Sequence, residues 1–206
     1  MEVLPDFILM PNMGTRGAMW QEIENRRRTT SARMMLSIFH LEELANTIIR
    51  LSGEYRWEMC KRVQGARWND LTELSLTSEY FDYIQFYRKN GDLSTEAKEK
   101  IKNSLTKTKN NYKEMFVLDY MYWILYESAG SPRLNKIARN ILFNYCPFPK
   151  EIRETLGNNP IYREILDKYN VRNAQKVHHI ELVRQKLNAR GLTPAEIEQE
   201  YLFLIR

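Results

Sequence analysis

Cysteine is scarce: Cys60 and Cys146 are the only two, far apart and in no CxxC pair. That argues against a disulfide framework and predicts a reducing compartment. Long apolar runs are missing as well. The richest stretch, residues 115–126, contains Asp119 and falls short of the roughly 20 residues that a bilayer span takes. The first residues lack the basic region and long apolar stretch of a signal peptide. These absences predict a soluble protein without membrane insertion, either cytoplasmic or virion-associated. Walker-type loops, a GxSxG elbow and βαβ alternation are all missing too. No catalytic residue and no cofactor is therefore expected. Cys60 lies on a core stripe, which suits an inert buried thiol, and Cys146 precedes Pro147 at a helix end.

What the chain does have is helical rhythm. Its 206 residues allow one domain or two small ones. Met34, Ile38, Leu41, Leu44, Ile48, Leu51, Tyr55 and Met59 recur at steps of three and four. That is the stripe of a helix burying one face, and it predicts one long central helix over residues 30–63. Gly53 inside it implies a bend or a tolerated cost of about 1 kcal/mol. Residues 65–76 read as a loop. Ser75 or Thr77 then caps a helix running to Asn90, and Ser94 caps the next, with Glu96 in its first turn. Asn110 and Asn111 mark a break before residues 112–128, which are apolar nearly all round and predict the most buried helix.

Three cap-proline pairs follow: Ser131-Pro132, Asn159-Pro160 and Thr193-Pro194. Proline fits the first helical position because its missing N–H would have no partner there. They predict helices over residues 132–145 and 160–169, and a last one after Thr193, where Glu196 completes a capping box. A short helix ends at Gly157, and another spans residues 172–190. Residues 1–17, with Pro5 and Pro11 around Phe7, Ile8, Leu9 and Met10, read as an extended arm. Such an arm docks on the protein's own core or on a neighbouring subunit. The expected fold is all-α: an irregular bundle of about seven to nine helices with a long central helix and an extended N-terminal arm. The arm covers 1–17 and a single helical domain covers 18–206, with a possible subdivision near 130.

Three groups of residues invite chemistry. His40 with Glu43, and His178 with Glu181, have the three-residue spacing of helix-borne metal ligands. Too few inward carboxylates accompany them, and ordinary solvated histidines are the expectation. Arg26, Arg27 and Arg28 form a basic triplet, but successive helical positions point about 100° apart. Residues 98–113, with Lys98, Lys102, Lys107, Lys109 and Lys113 among their six lysines and Glu99 their single acid, carry a net +5, as much as the whole chain. Focused on one face they would attract phosphate backbones; spread out they are a solvated helix surface. Tyr83 and Tyr87 belong to an aromatic helix that is buried at the domain centre or meets a partner.

The expected role is a non-enzymatic structural or adaptor subunit, joined to other subunits or to copies of itself. A viral or phage particle is one such setting. Phe7, Ile8, Leu9, Met10, Arg26, Arg27, Arg28, Tyr83 and Tyr87 are its candidate partner contacts. A helical nucleic-acid-binding protein using the basic patches at 26–33 and 98–113 is the first alternative. A helical-bundle metalloenzyme is the second.

Overall fold

The computed structural model describes residues 5–11, 17–20, 32–39, 43–192 and 194–205. Among these residues the protein is mostly helical, with eight α-helices and one small sheet. Strands β1 (Asp6–Met10), β2 (Ala18–Trp20) and β3 (Arg33–Ser37) are ordered β1-β3-β2. β1 runs parallel to β3 with Phe7 opposite Met34, and β2 runs antiparallel with Met19 opposite Met34. Gly17, with φ near +60°, leads into β2. A Cβ there would stand 2.7 Å from the Met35 carbonyl oxygen, so only glycine lets the chain pass so close to β3.

The sheet corrects the long-helix expectation. Residues 33–37 are strand, and helix α1 spans only Leu44–Gln64. Ala18, expected to begin helical rhythm, begins β2 instead. Met34 fits a helical stripe, but Met34 and Leu36 also alternate to one side of a strand. Long-range pairing with β1 and β2 decided between the two periods. Met34 and Leu36 lie buried with Leu51 and Tyr55 of α1 in a small core of their own.

The main core is larger and aromatic. It is built by α1, α2 (Leu76–Gln85), α3 (Thr95–Lys107), α4 (Tyr112–Leu125), α5 (Lys136–Tyr145), α6 (Lys150–Leu156) and the start of α7 (Pro160–Asn188). Trp57, Tyr80, Phe116 and Trp123 are buried near its centre. Trp123 stacks on Phe148 with ring centroids 4.0 Å apart, and its indole N–H donates to the Cys146 carbonyl at 2.9 Å. Gly53 brings α1 against α4, where a Cβ would meet Tyr120 Cδ1 at 3.0 Å. Its helical cost therefore goes with a close approach and not with a break in the helix.

Local punctuation behaves unevenly. Ser75 caps α2 in a reciprocal pair with Ser78, and α2 ends at Gln85, earlier than expected. Residues 65–76 hold two short 3₁₀ turns, Gly65–Arg67 and Leu71–Glu73. Ser94 caps α3 as the sequence implied, and Asn111, read there as part of a break, caps α4. Ser131 and Pro132 do not open α5: Asn135 caps it, accepting from the amides of Ile137 and Ala138. The amides of Arg133 and Leu134, which a Ser131 cap would have left inside the first turn, donate to the Glu127 carboxylate instead.

The largest difference in the second half is α7. The predicted break between Tyr169 and Arg172 is absent, and one helix of 29 residues runs through. No glycine or proline interrupts it. Its buried residues stop at Tyr169; the remaining 19 residues extend about 28 Å beyond at the helical rise. The change of pattern marks where the helix leaves the core. Helix α8 (Ala195–Ile205) packs back along this projecting half. Arg184 Nε bonds Glu198 at 2.5 Å and Asn173 donates to the Leu204 carbonyl at 3.0 Å. Thr193 and the Glu196 side chain, the expected capping box, lie outside what is described.

Candidate interaction surfaces

Among the described residues β1 is one of the two edge strands of the sheet, and alternation decides which groups it exposes. The Asp6 amide donates to the Ala32 carbonyl at 2.7 Å, and the Met10 carbonyl accepts from Ile38 at 2.8 Å. Residues 6, 8 and 10 thus turn their backbone toward β3, so Phe7 and Leu9 turn theirs outward. The side chains of Phe7 and Leu9 share a face with Met34 and Leu36, but α1 packs over β3 and β2 and leaves Phe7 and Leu9 exposed. Phe7 is 58% exposed and Leu9 65%; Ile8 and Met10 are half-buried. Phe39, 80% exposed, and Ile38 stand just past β3, at the same end of the sheet as Met10. Trp20 on β2 is also exposed. Ile38 was missed as a surface group because it was read into a helix stripe, and Phe39 because it fell within the same expected helix.

The other candidate contacts fall elsewhere. Tyr83 and Tyr87 are each only 5% exposed and belong to the core. Both rings pack into the domain core, and Tyr83 also lines the groove between α2, α5 and α7. Arg26, Arg27 and Arg28 lie outside the described residues. Of the lysines, Lys102 pairs with Glu99 at 3.1 Å and Lys113 with Glu58 at 3.0 Å. Lys98, Lys107 and Lys109 make no ion pair among the described residues. On α3 the inward residues Ala97, Ile101 and Leu105 put Lys98 and Lys107 on opposite flanks, about 180° apart at helical spacing. His40 lies outside the described residues, while His178 is exposed and Glu181 half-buried. Among the described residues no three His, Cys, Asp or Glu side chains gather as a metal cluster.

Two acids, Glu127 buried and Asp119 half-buried, are set into the helical core. Glu127, fully buried, accepts from Arg139 Nε at 2.7 Å, from the Tyr162 hydroxyl at 2.7 Å and from two backbone amides. Burial would push its carboxyl up, but the hydrogen bonds from Arg139, Tyr162, Leu134 and Arg133 together hold it below the usual range. All its acceptor positions are used, so it is a structural tie between α5, α7 and the turn after α4. Asp119 is different. It is half-buried on α4, accepts from the Tyr80 hydroxyl at 2.7 Å and makes no ion pair among the described residues. Burial pushes its carboxyl up to about 6, opposed by the Tyr80 bond and helped by the charge of Glu127. Burial and Asp119 in turn raise the Tyr80 and Tyr83 phenols.

Two grooves mark the helical surface. One, of about 560 Å³, lies in the crook of α6, α7 and α8, where Arg153, Arg163, Asp167 and Leu204 meet. The second, of about 340 Å³, lies between α2, α5 and α7. No helix is long and apolar enough to cross a membrane among the described residues.

The architecture is that of a helical domain carrying a small mixed sheet at its N-terminal side and a projecting helical hairpin at its C-terminal side. The chain belongs to the family described as a domain of unknown function (DUF8509), whose model matches residues 65–203. The match takes in α2 to α7 and most of α8, and leaves the sheet and α1 ahead of it. No curated protein and no solved structure matches the chain.

Proposed function

We propose that this protein is a non-enzymatic structural or adaptor subunit that works through protein–protein contacts in a larger assembly, a viral or phage particle being one such setting. The outer edge of β1, unpaired among the described residues, carries this reading. Its outward amides and carbonyls at Phe7 and Leu9 are a template for another strand. Asp6 is the only charge on that strand, so little in it discourages edge pairing. The exposed Phe7, Leu9, Ile38 and Phe39 add apolar area on the same side. The projecting α7–α8 hairpin, with Val171, Leu182 and Leu202 exposed, offers a second reach toward neighbours.

Size-exclusion chromatography with light scattering tests it. The expected result is an oligomer whose mass rises with concentration. Leu9→Pro removes an amide donor that points away from β3, so the sheet keeps its internal bonds while the edge loses one. That variant is expected to shift toward monomer with an unchanged circular dichroism spectrum. A wild-type protein that stays monomeric at every concentration, with a protease-resistant N-terminus, refutes the reading.

A further inference from the structure

The groove between α2, α5 and α7 stands apart from β1 and is polar where the core beneath it is not. Its α2 wall carries Glu79 and Asp82, its α7 wall Arg172, and Asn140 and Asn144 line it from α5. Glu79 accepts from the Tyr145 hydroxyl at 2.6 Å, and Arg172 lies close enough for its charge to act on that phenol. Asp82, Asn140 and Asn144 are all half-buried, and their side chains make no hydrogen bond with the described chain. Polar groups that a fold leaves without an internal partner are bonded by water or by a ligand. Three unengaged ones at a single groove, between walls of opposite charge, are arranged for something outside it.

We propose that this groove binds a segment of extended peptide. Asn140 and Asn144 stand one helical step of four apart, about 6 Å along α5. Alternate residues of an extended peptide repeat about every 6.6 Å. Each asparagine side chain offers one carbonyl acceptor and an NH₂ donor. That is the complement of one residue's N–H and C=O, so two successive same-side residues of the peptide meet the two asparagines. Side chains of an extended peptide alternate across its backbone. One set faces Glu79 and Asp82, the other faces Arg172. The ligand is therefore an extended stretch in which a lysine or arginine on one side is followed by an aspartate or glutamate on the other.

The test uses the full chain and a capped eight-residue peptide of alternating lysine and glutamate, followed by isothermal titration. A second peptide of the same sequence, N-methylated at alternate residues, lacks the backbone donors on one side. Saturable binding of the first and at least tenfold weaker binding of the second are expected. Asn140→Ala with Asn144→Ala together should weaken binding tenfold or more, and Asp82→Asn should raise its salt tolerance while weakening it severalfold. Each variant is checked for an unchanged melting transition, because these side chains hold nothing in the core. Equal affinity for the two peptides, or wild-type affinity in the double variant, overturns the proposal. So does the absence of binding at low salt. None of these outcomes bears on the mass measurement that tests β1.

Discussion

Arg139 on α5 and Glu127 after α4 face one another in the core, Nε to Oε2 at 2.7 Å, with the guanidinium over the Tyr162 ring at 5.3 Å. Arg139 also donates to the Leu134 carbonyl at 2.7 Å. One ion pair therefore joins α5, α7 and the turn that separates them from α4.

Removing one partner leaves the other charged and buried. Arg139→Met is expected to cost about 3–5 kcal/mol in urea unfolding. Glu127→Gln with Arg139→Met should cost less than the two single changes added, because the orphaned charge is gone. The pH sign follows from the lowered carboxyl. Stability from Glu127 is present above its usual value of 4.5 and is lost as pH falls through its lower folded value. In Arg139→Met burial is less opposed, so the Glu127 carboxyl should rise and the variant should lose stability more steeply than wild type as pH climbs above 4.5; an unchanged pH profile would contradict the assignment.

Asp119 acts in the opposite sense. Its folded value of about 6 lies above the ordinary 3.8, so the fold holds this proton more tightly than the unfolded chain does. The stabilisation it brings is complete below pH 3.8 and is lost as pH rises through about 6. Asp119→Asn keeps an acceptor for Tyr80 and removes the titration. Denaturant midpoints of the variant should no longer decline between about pH 4 and pH 6, and should exceed wild type at neutral pH. A parallel decline in both proteins would reject Asp119 as the cause.

At Gly53 helix propensity and packing disagree. Alanine would gain about 1 kcal/mol as a helix former. Its Cβ, however, would stand 3.0 Å from Tyr120 Cδ1 and 3.3 Å from Cγ. Overpacking of this kind costs about 1–3 kcal/mol. Gly53→Ala is expected to destabilise by about 1 kcal/mol net, with Gly53→Leu far worse. Thermal melts of the two variants settle the sign, and a stabilised alanine variant would show that α1 and α4 have room to part.

Asn135 does two jobs through one side chain. Its oxygen accepts from Ile137 and Ala138, both at 3.0 Å, and its NH₂ donates to the Tyr83 hydroxyl at 2.6 Å. Asn135→Ala should cost about 2 kcal/mol, a cap plus a buried phenol left without a donor. Ser131→Ala, at the site that the cap-proline pattern favoured, should change stability by less than about 0.5 kcal/mol. Chemical denaturation of both variants compares the two positions directly.

Much of the helical fold was legible residue by residue. Ser94 and Asn159 cap helices where the pattern placed them, because a cap bonds amides two or three residues away and needs no distant partner. Residues 112–125 proved the buried helix that their composition implied. Candidate contacts were less legible. Phe7 and Leu9 sit on an extended segment as expected, yet their exposure depended on how far α1 reaches across the sheet. Tyr83 and Tyr87 offered no local cue that both rings turn inward. The α2–α5–α7 groove joins residues from three helices, and no spacing along the chain announces it.

Helix-forming rhythm and capping chemistry were thus already written in the order of residues, since both act within a turn or two. The choice of strand over helix at Met34 came from elsewhere. A strand has no stability without neighbours, and β1 and β2 supplied them from distant parts of the chain. The same holds for Ser131, whose cap was displaced when Glu127 took the amides beyond it. Where the competing partner lies far along the chain, local pattern cannot rank the alternatives, and packing does.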